Sequence, residues 1–292
     1  MAELGTDAGA RVTVVTGAAS GMGAATARRL ATPGAGELVL CDLDAAGLQA
    51  VSTSITEDAS VGAVHCLAGD LTDPALVDEL VAAVRARGRL RSLAHVAGIS
   101  SSMGDWRRIL DVNLVVTARV VSALAPLAVP GTVAVCVAST AGHSAHSLST
   151  TAVEAELDCP LAPQLADRLE AILGLRRIQV GAYGWSKLGV QRLVQREAAS
   201  WGARGARICS VSPGIIDTPM GRREFERKPF MAQAIAESPL ARWGTPEDVA
   251  AVIAFLLSDD AAFVTGTDVL VDGGALNVFP NALKSALDAI DD

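Results

Sequence analysis

Residues 11–23 read RVTVVTGAASGMG, an apolar run followed by a loop that contains three glycines. The apolar run predicts a buried strand, and a helical pattern follows at 23–31. Glycines at such a turn let the backbone bend sharply and approach a phosphate, while the N-terminus of the following helix offers free N–H groups. The alternative is that the loop only connects the strand to the helix and binds no phosphate. The rest of the sequence helps to choose between these two interpretations.

Strand-like apolar runs alternate with helical patterns along the rest of the chain, which is typical of an α/β fold. The runs are continuous rather than alternating in polarity, as in parallel strands that helices cover on both faces. We therefore expect a doubly wound, Rossmann-type sheet of about seven mainly parallel strands. The predicted strands are 11–16, 37–42, 61–66, 92–96, 132–138, 207–211 and 269–271. The predicted helices are 23–31, 74–87, 106–127, 182–201 and 246–257.

Two stretches do not fit this alternation, although we expect residues 1–292 to form a single domain. The first is an insertion at about 143–180, with an amphipathic helix predicted at 163–173. The second is a C-terminal tail at about 276–292, with a short helical pattern through Leu283, Leu287 and Ile290. The apolar face of an appended helix must be covered either by its own domain or by a second subunit.

Composition excludes several classes of protein. The formal net charge is −8, from 24 Lys and Arg against 32 Asp and Glu, and basic runs are short, so nucleic-acid binding is disfavoured. No signal peptide or long apolar span is evident, which predicts a cytoplasmic protein that does not insert into membranes. The five cysteines are scattered, and we interpret them as small buried apolar residues rather than disulfides or metal ligands.

Asp42 closes the second predicted strand, 19 residues beyond the last glycine of the loop, Gly23. An acid at this place is positioned to accept hydrogen bonds from the ribose of a dinucleotide and to repel a 2′-phosphate. No Arg or Lys lies within the glycine loop, so NAD(H) is favoured over NADP(H). The alternative is that Asp42 merely caps a helix that begins near Asp44.

Tyr183 is the single tyrosine of the chain, and Lys187 follows it by four residues. On a helix the two side chains share one face, so the ammonium can lie near the phenol. Bringing a phenol of pKa ~10 into the working range means lowering its pKa by about 3 units, or roughly 4 kcal/mol. One cation is insufficient, whereas an oxidised nicotinamide would supply a second. The alternative is a helical Tyr packed over a Lys stem.

Together the glycine loop, the strand-end acid and the Tyr–Lys pair resemble the short-chain dehydrogenase/reductase family along nearly the whole chain. Further matches are GDL at 69–71, DVNL at 111–114, STAG at 139–142, PGIIDTP at 213–219 and VDGG at 271–274. The resemblance implies that Asn113, Ser139, Tyr183 and Lys187 are catalytic and that no metal is needed. It implies cofactor contacts from Gly17, Ser20, Gly21, Met22, Gly23, Asp42, Asp70, Leu71, Ala97, Gly98, Tyr183, Lys187, Pro213, Gly214, Ile216 and Thr218.

The chain also departs from the family pattern. His95 and Val96 stand where an Asn pair is usual, which removes an amide that commonly ties neighbouring strands; we interpret His95 as a satisfied core residue rather than a catalyst. Gly98 and Asn113 are only 15 residues apart, whereas 44 residues separate Ser139 from Tyr183. This architecture is similar to that of bacterial 3-alpha-hydroxysteroid dehydrogenase/carbonyl reductases.

The resemblance implies an NAD(H)-dependent oxidoreductase that interconverts a secondary alcohol and its ketone. Tyr183 would exchange the hydroxyl proton, Ser139 would orient the substrate oxygen, and Lys187 would lower the Tyr183 pKa and hold the nicotinamide ribose. Asn113 would position a water that relays protons from Lys187. The alternatives are another reaction on the same scaffold, such as enoyl reduction or dehydration, and a non-catalytic NAD-binding regulator.

The substrate pocket is expected to be lined by the residues after Ser139, by Trp185 and by the segment 220–243, which contains Phe225, Phe230 and Met231. Such a lining favours a hydrophobic steroid, terpenoid or alicyclic substrate. The alternative is that these aromatic residues only pack the segment against the domain.

The inserted helix also suggests a mode of assembly. Leu165, Leu169, Ile172 and Leu173 form an apolar stripe. Exposing apolar surface costs roughly 25 cal/mol per Å². We expect a homodimer through this stripe, with a tetramer as the alternative.

Overall fold

The computed structural model describes residues 10–57, 62–228, 230–278 and 288. Within these residues the centre is a sheet of seven parallel strands in the order β3-β2-β1-β4-β5-β6-β7. The strands are β1 Arg11–Thr16, β2 Glu37–Asp42, β3 Val64–Ala68, β4 Arg89–His95, β5 Val133–Val137, β6 Arg207–Pro213 and β7 Asp268–Val271. The doubly wound fold is confirmed, and the sheet is parallel throughout.

Helices lie on both faces of the sheet, and each face has its own core. The helices are α1 Gly21–Leu30, α2 Ala45–Thr56, α3 Pro74–Arg87, α4 Trp106–Leu110, α5 Val116–Leu124, α6 Thr140–His146, α7 Thr151–Leu157, α8 Leu165–Leu173, α9 Leu175–Gly202, α10 Pro219–Arg227, α11 Phe230–Glu237, α12 Pro246–Leu257 and α13 Ala275–Val278. In β2, Leu38 and Leu40 face the core under α1, α2 and α12, whereas Val39 and Cys41 face the core under α3, α5 and α9. This two-sided burial explains the continuous apolar runs.

Helix caps explain why some boundaries could be predicted to the residue. Asp73 accepts a hydrogen bond from the Ala75 N–H at 2.9 Å and starts α3. Thr245 and Asp248 form a capping box at the start of α12, with hydrogen bonds of 3.1 and 2.7 Å. Both motifs are local in sequence, so their patterns predict the start of each helix.

Two strands begin three residues away from the predicted start, whereas the other strand ends lie within two residues of the prediction. β4 begins at Arg89 rather than at residue 92, because α3 ends at Arg87 with Gly88 as its C-cap and the Arg89 N–H already binds the Ala10 carbonyl at 2.9 Å. β3 spans Val64–Ala68 rather than 61–66, and Ala68 pairs level with Asp42 at the end of β2. Residue 61 itself lies outside the described residues.

The predicted helix at 106–127 is continuous but irregular. It consists of α4, a π-helical turn at Asp111–Val115, α5 and a final 3₁₀ turn at Ala125–Leu127. Among the described helices, this one is long and apolar enough to cross a membrane by composition. However, 56% of its most apolar window is buried inside the domain, where it packs as a core helix.

The inserted segment forms α6, α7, α8 and the first turns of α9. The predicted helix at 163–173 is confirmed as Leu165–Leu173. α9 begins at Leu175 rather than at residue 182, because Gly174, at φ +80°, turns the chain directly from α8 into α9. Asp158 anchors the insertion to α9 through two hydrogen bonds of 2.8 Å from the Arg192 guanidinium.

The apolar stripe of α8 is covered by its own chain. Leu169 is fully buried and Leu165 nearly so, in one core with Leu157 of α7 and Ile178 of α9. The prediction that Leu165 and Leu169 form a subunit contact is therefore wrong. Only the end of the stripe reaches the surface, at Ile172, which is 41% exposed.

The cysteines and the tail complete the comparison with the sequence. Cys41, Cys136 and Cys209 are buried as predicted, whereas Cys66 and Cys159 are exposed. Cys66 is exposed because β3 is an edge strand, and Cys159 follows the end of α7. The predicted helical pattern at 283–290 lies outside the described residues.

Candidate active site

A crevice opens where the sheet changes direction. β1 and β4 are neighbours, and the strands that follow each of them along the chain lie toward opposite edges of the sheet. In parallel α/β sheets, ligands bind at the carboxyl ends of the strands, at the point where the strand order reverses. Gly17 lies there with φ +69°, and a Cβ on it would lie 2.7 Å from the Ala97 nitrogen. A Cβ on Gly23 would overlap the carbonyl oxygen of Gly17.

The N-terminus of α1 faces the same crevice. Ser20 is the N-cap residue, but its side chain makes no capping hydrogen bond. The N–H groups of the first turn are therefore left for another acceptor, and Gly21, at φ +51°, gives the loop its turn into the helix. Together these features form an anion site of the kind that binds a dinucleotide pyrophosphate.

Asp42 lies beside the glycine loop at the mouth of the crevice. Its carboxylate accepts hydrogen bonds from the Ala19 N–H at 2.9 Å and the Asp44 N–H at 3.1 Å. The cap of α2 is Asp44, which accepts from the Gly47 N–H at 3.0 Å. The alternative that Asp42 is only a helix cap is therefore wrong, and its carboxylate lines the cofactor cleft.

Asp70 carries a partner that the sequence did not indicate. Arg108 donates to its carboxylate at 2.8 Å, and the Thr72 N–H donates at 2.9 Å. Burial opposes ionisation of Asp70, but the hydrogen bonds from Arg108 and Thr72 outweigh it and lower its pKa. Arg108 also lines the cleft. Its 38-residue separation from Asp70 left no local signal in the sequence.

The predicted cofactor residues line two adjoining cavities. A cleft of about 280 Å³ is lined by Gly17, Ser20, Gly21, Met22, Gly23, Asp42, Asp70, Leu71, Ala97, Gly98 and Thr218. A second cavity of about 270 Å³ is lined by Tyr183, Lys187, Pro213, Gly214 and Ile216, and also by Ser139. Met22, Gly98 and Thr218 line both, so the first cleft opens into the second cavity.

Asn113 sits in the π-helical turn, a feature that often marks functional sites. Its side-chain oxygen accepts from the Ile99 N–H at 2.8 Å, and its amide nitrogen donates to the Ile99 carbonyl at 3.0 Å. The amide nitrogen also lies 3.3 Å from the Ser186 hydroxyl oxygen. Asn113 therefore ties the loop after β4 to α9.

Ser139, Tyr183 and Lys187 meet at the wall of the second cavity. Ser139 caps α6, where its hydroxyl accepts a hydrogen bond from the Ala141 N–H at 3.2 Å, and it lines the same cavity as Tyr183. The Lys187 ammonium lies 5.9 Å from the centroid of the Tyr183 ring and donates to the Val137 carbonyl at 2.9 Å. The structure thus brings the three side chains together from the end of β5 and from α9.

The electrostatics differ from the simple expectation that Lys187 lowers the Tyr183 pKa. Burial raises the pKa of Tyr183 above its ordinary value, the Ser139 hydrogen bond opposes this, and the Glu224 carboxylate adds to the rise. Burial also lowers the pKa of Lys187 to about 8. Because its pKa lies above the ordinary value of 10, Tyr183 is a neutral phenol at neutral pH in this structure.

His95 is buried, and both of its ring nitrogens have partners. Nδ1 lies 2.9 Å from the Thr16 hydroxyl, which accepts from the Ala97 N–H at 3.3 Å. Nε2 lies 3.0 Å from the Thr117 hydroxyl, which donates to the Asn113 carbonyl at 2.7 Å. Because the Thr117 proton is used on Asn113, we assign the imidazole proton to Nε2.

This arrangement confirms His95 as a satisfied core residue. It ties β1 to β4 and to the helix that carries Asn113, and so replaces the amide missing from the family pattern. Burial, assisted by the charge of Lys187, lowers the pKa of His95 to about 3. The imidazole is therefore neutral at physiological pH.

The substrate-side predictions are only partly confirmed. Phe230 and Met231 line the second cavity, but Phe225 packs against Trp243, with ring centroids 5.0 Å apart. Trp185 is buried in the core, against Gly181, so its assignment to the pocket is wrong. Glu224 and Lys228, from the predicted segment 220–243, also line this cavity. Ser101, Ala275 and Leu276 line it as well, and the sequence analysis missed these three.

Comparison with known proteins agrees with this geometry. A family model described as short chain dehydrogenase matches residues 11–151, and one described as Enoyl-(Acyl carrier protein) reductase matches residues 171–275. D-threitol dehydrogenase of Mycolicibacterium smegmatis is 32% identical over 90% of this chain and 92% of its own length. The chain belongs to the short-chain dehydrogenase/reductase family. Members of this family are oxidoreductases that use NAD or NADP, and this chain is an oxidoreductase of that class.

Other relatives of this short-chain dehydrogenase/reductase extend the likeness to known structures. Cyclohexanol dehydrogenase of an Acinetobacter species is 33% identical over 90% of this chain and 94% of its own length. A short-chain dehydrogenase/reductase from Mycobacterium ulcerans superposes with a TM-score of 0.73 at 28% identity, covering 91% of this chain and 90% of that one. Levodione reductase gives a TM-score of 0.72 at 28% identity, covering 90% and 96%.

Proposed function

We propose that the protein is an NAD(H)-dependent oxidoreductase that interconverts a secondary alcohol and its ketone. The observation that carries this proposal is that Ser139, Tyr183 and Lys187 line one cavity, which adjoins the glycine-loop cleft. The relatives named for D-threitol and cyclohexanol support small alcohols as substrates.

The residues of the cleft fit a dinucleotide. Gly17 and Gly23 allow the tight loop because a Cβ at either position would clash with neighbouring backbone, and α1 directs N–H groups toward the cleft. The carboxylate of Asp42 would accept hydrogen bonds from ribose hydroxyls and would repel a 2′-phosphate, which favours NAD(H). A bound nicotinamide would accept or supply the hydride and, when oxidised, would carry a positive charge.

Tyr183 acts as the acid and base. As a neutral phenol it can donate its proton to a ketone oxygen, and as a phenolate it can accept the proton of an alcohol. Ser139, which lines the same cavity, holds the substrate oxygen through its hydroxyl. Lys187 supplies positive charge beside the ring, and this charge favours the phenolate.

Asn113 and Lys187 are placed to support proton transfer. Both flank Gly98, where a Cβ would lie 3.0 Å from the Asn113 side-chain oxygen and 3.3 Å from the Lys187 nitrogen. A water between them would carry protons away from Lys187, and Asn113 would position it. The side chain of Asn113 is already fixed by Ile99, so its own role is positioning.

A second candidate is enoyl reduction, because residues 171–275 match a family model with that description. The presence of Ser139 beside Tyr183 in the cavity lining and the four-residue spacing of Tyr183 and Lys187 favour carbonyl chemistry instead. An acyl-carrier enoyl substrate tested with NADH distinguishes the two, since alcohol chemistry predicts turnover of alcohols and ketones alone.

The test is a panel of alicyclic and open-chain alcohols with NAD⁺ and with NADP⁺. We expect higher kcat/KM with NAD⁺, and we expect Asp42→Ala to reduce this preference by about tenfold, equivalent to about 1.4 kcal/mol. Asp44→Ala is the matched control, because Asp44 caps α2 two residues away and should leave the preference unchanged. Higher efficiency with NADP⁺ would contradict the cofactor assignment.

A further inference from the structure

Helix α10 brings a buried carboxylate to the substrate cavity. Glu224 is only 8% exposed, whereas its neighbour Glu226 on the same helix is exposed. The cavity that Glu224 lines also holds Ser139, Tyr183 and Lys187. A buried carboxylate in a substrate cavity requires a function or a set of partners.

The partners of Glu224 are few and well defined. One carboxylate oxygen accepts from the Ser102 N–H at 3.1 Å. The other accepts from the Ser101 hydroxyl at 2.9 Å and from the Lys228 ammonium at 2.6 Å. Lys228 also donates to the Ser101 oxygen at 2.8 Å. A carboxylate has about four acceptor sites and an ammonium three donors, so each group keeps capacity for one more hydrogen bond.

The pair is charged and close to the reaction centre. Burial opposes ionisation of Glu224, but hydrogen bonds from Lys228 and Ser102 outweigh it and lower its pKa to about 2. The charge of Glu224 is felt at Tyr183, whose pKa it raises. The cavity therefore has two polar ends: the Ser139–Tyr183 end and the Glu224–Lys228 end.

Much of the remaining cavity lining is apolar. It includes Phe230, Met231, Ala234 and Ile215. A carbon skeleton can contact this apolar lining while polar groups at two of its positions meet the two polar ends. Apolar contact would thus hold the skeleton, and the polar ends would fix its orientation.

We propose that Glu224 and Lys228 bind a second hydroxyl of the substrate, so that the enzyme acts on diols and hydroxyketones. This inference rests on the function proposed above and specifies its substrate class. A hydroxyl both donates and accepts, which matches the spare acceptor of Glu224 and the spare donor of Lys228. A substrate carboxylate at this position would be repelled by the negative charge of Glu224. A substrate alkyl group there would displace water from Glu224 and Lys228 without replacing its hydrogen bonds.

The test compares each diol with the alcohol that lacks its second hydroxyl. The probes are cyclohexanol against the cyclohexanediols with adjacent, alternate and opposite hydroxyls, and secondary butanol against the corresponding butanediol. With NAD⁺ we expect at least one diol to exceed its mono-alcohol in kcat/KM by about tenfold or more. We expect Glu224→Gln to reduce that ratio by about tenfold, since its amide keeps the shape but loses the charge.

Two further variants make the result interpretable. Glu226→Gln is the matched control on the exposed face of α10 and should leave the ratio unchanged. Lys228→Gln alters the half-exposed partner and should also reduce the ratio, so the inference stays testable if Glu224→Gln fails to fold. If Glu224→Gln reduced the turnover of the diol and of the mono-alcohol equally, the role of Glu224 would be only structural, and the inference would be overturned.

The pH profile of alcohol oxidation gives an independent readout. Glu224, Lys187 and Lys228 are the charged side chains among the described residues that line this cavity. Because a nearby negative charge raises the pKa of a phenol, Glu224→Gln should move the acidic limb to lower pH. An unmoved limb together with an unchanged diol preference would overturn the inference. If none of the alcohols is oxidised, the proposed function fails with it; if alcohols are oxidised without diol preference, this inference alone fails.

Discussion

The cofactor cleft and the substrate cavity adjoin at Gly98 and Thr218, but they are built differently. The cleft is formed by backbone, where strand ends approach so closely that Gly17 and Gly23 cannot carry a Cβ. The cavity is formed by side chains that come from separate segments, such as Glu224 on α10 and Ser101 after β4. The first is therefore determined by local sequence, and the second by long-range packing.

The largest expected effect tests the backbone character of the cleft. In Gly23→Ala the new methyl group would overlap the Gly17 carbonyl. Overpacking typically costs about 1–3 kcal/mol, so the affinity for NAD⁺ should fall by about fivefold to 150-fold. Isothermal calorimetry measures this. Gly202→Ala is the control, because a Cβ at Gly202 meets nothing within 4 Å. Equal affinities in the two variants would contradict the close approach.

The next effect concerns the core residue that supports both regions. The pKa of His95 is lowered from 6.5 to about 3, so the unfolded chain binds a proton that the folded chain excludes. Stability contributed by the neutral imidazole is therefore present above pH 6.5 and is lost as the pH falls toward 3. Between about pH 7 and about pH 5 this amounts to about 2 kcal/mol.

His95→Asn should therefore lose about 2 kcal/mol less free energy of unfolding than the wild type over that interval. Urea unfolding at the two pH values measures the difference. His146→Asn, which removes an imidazole from the exposed surface, is the control. An identical loss in His95→Asn and wild type would contradict the burial of a neutral His95.

The smallest effect tests the side-chain character of the substrate cavity. Phe230 lines the cavity and is half exposed, so Phe230→Ala removes apolar contact without altering the cleft. We expect KM for an alicyclic alcohol to rise by about threefold to tenfold while the NAD⁺ affinity stays constant. Phe263→Ala, on the open surface, is the control. A parallel loss of NAD⁺ affinity would show that the two regions are not independent.

The same contrast explains what the sequence could predict. The glycine loop, Asp42 and the Tyr183–Lys187 spacing are local patterns, and the structure brings these residues to the two adjoining cavities. The limits of α3 and α12 were predictable because caps and prolines lie next to each other in sequence. Each of these signals needs only neighbouring residues.

The remaining features depend on distant partners. Arg108 on α4 contacts Asp70 across 38 residues, and Ser101 contacts Glu224 across 123 residues. The stripe of α8 gave a correct helix but a wrong partner, because an amphipathic pattern does not identify what covers it. Trp185 illustrates the same limit, since its place on α9 was predictable but its burial in the core was not.

The central claim is that Tyr183 transfers the proton while the cleft binds NAD(H), and Tyr183→Phe tests it most directly. The measurement is the rate of NADH formation with the preferred alcohol, together with the NAD⁺ affinity of the same variant. We predict that turnover falls by about 100-fold or more, the scale of a lost general acid and base, while the affinity changes by less than about twofold. Turnover close to the wild-type rate would contradict the assignment.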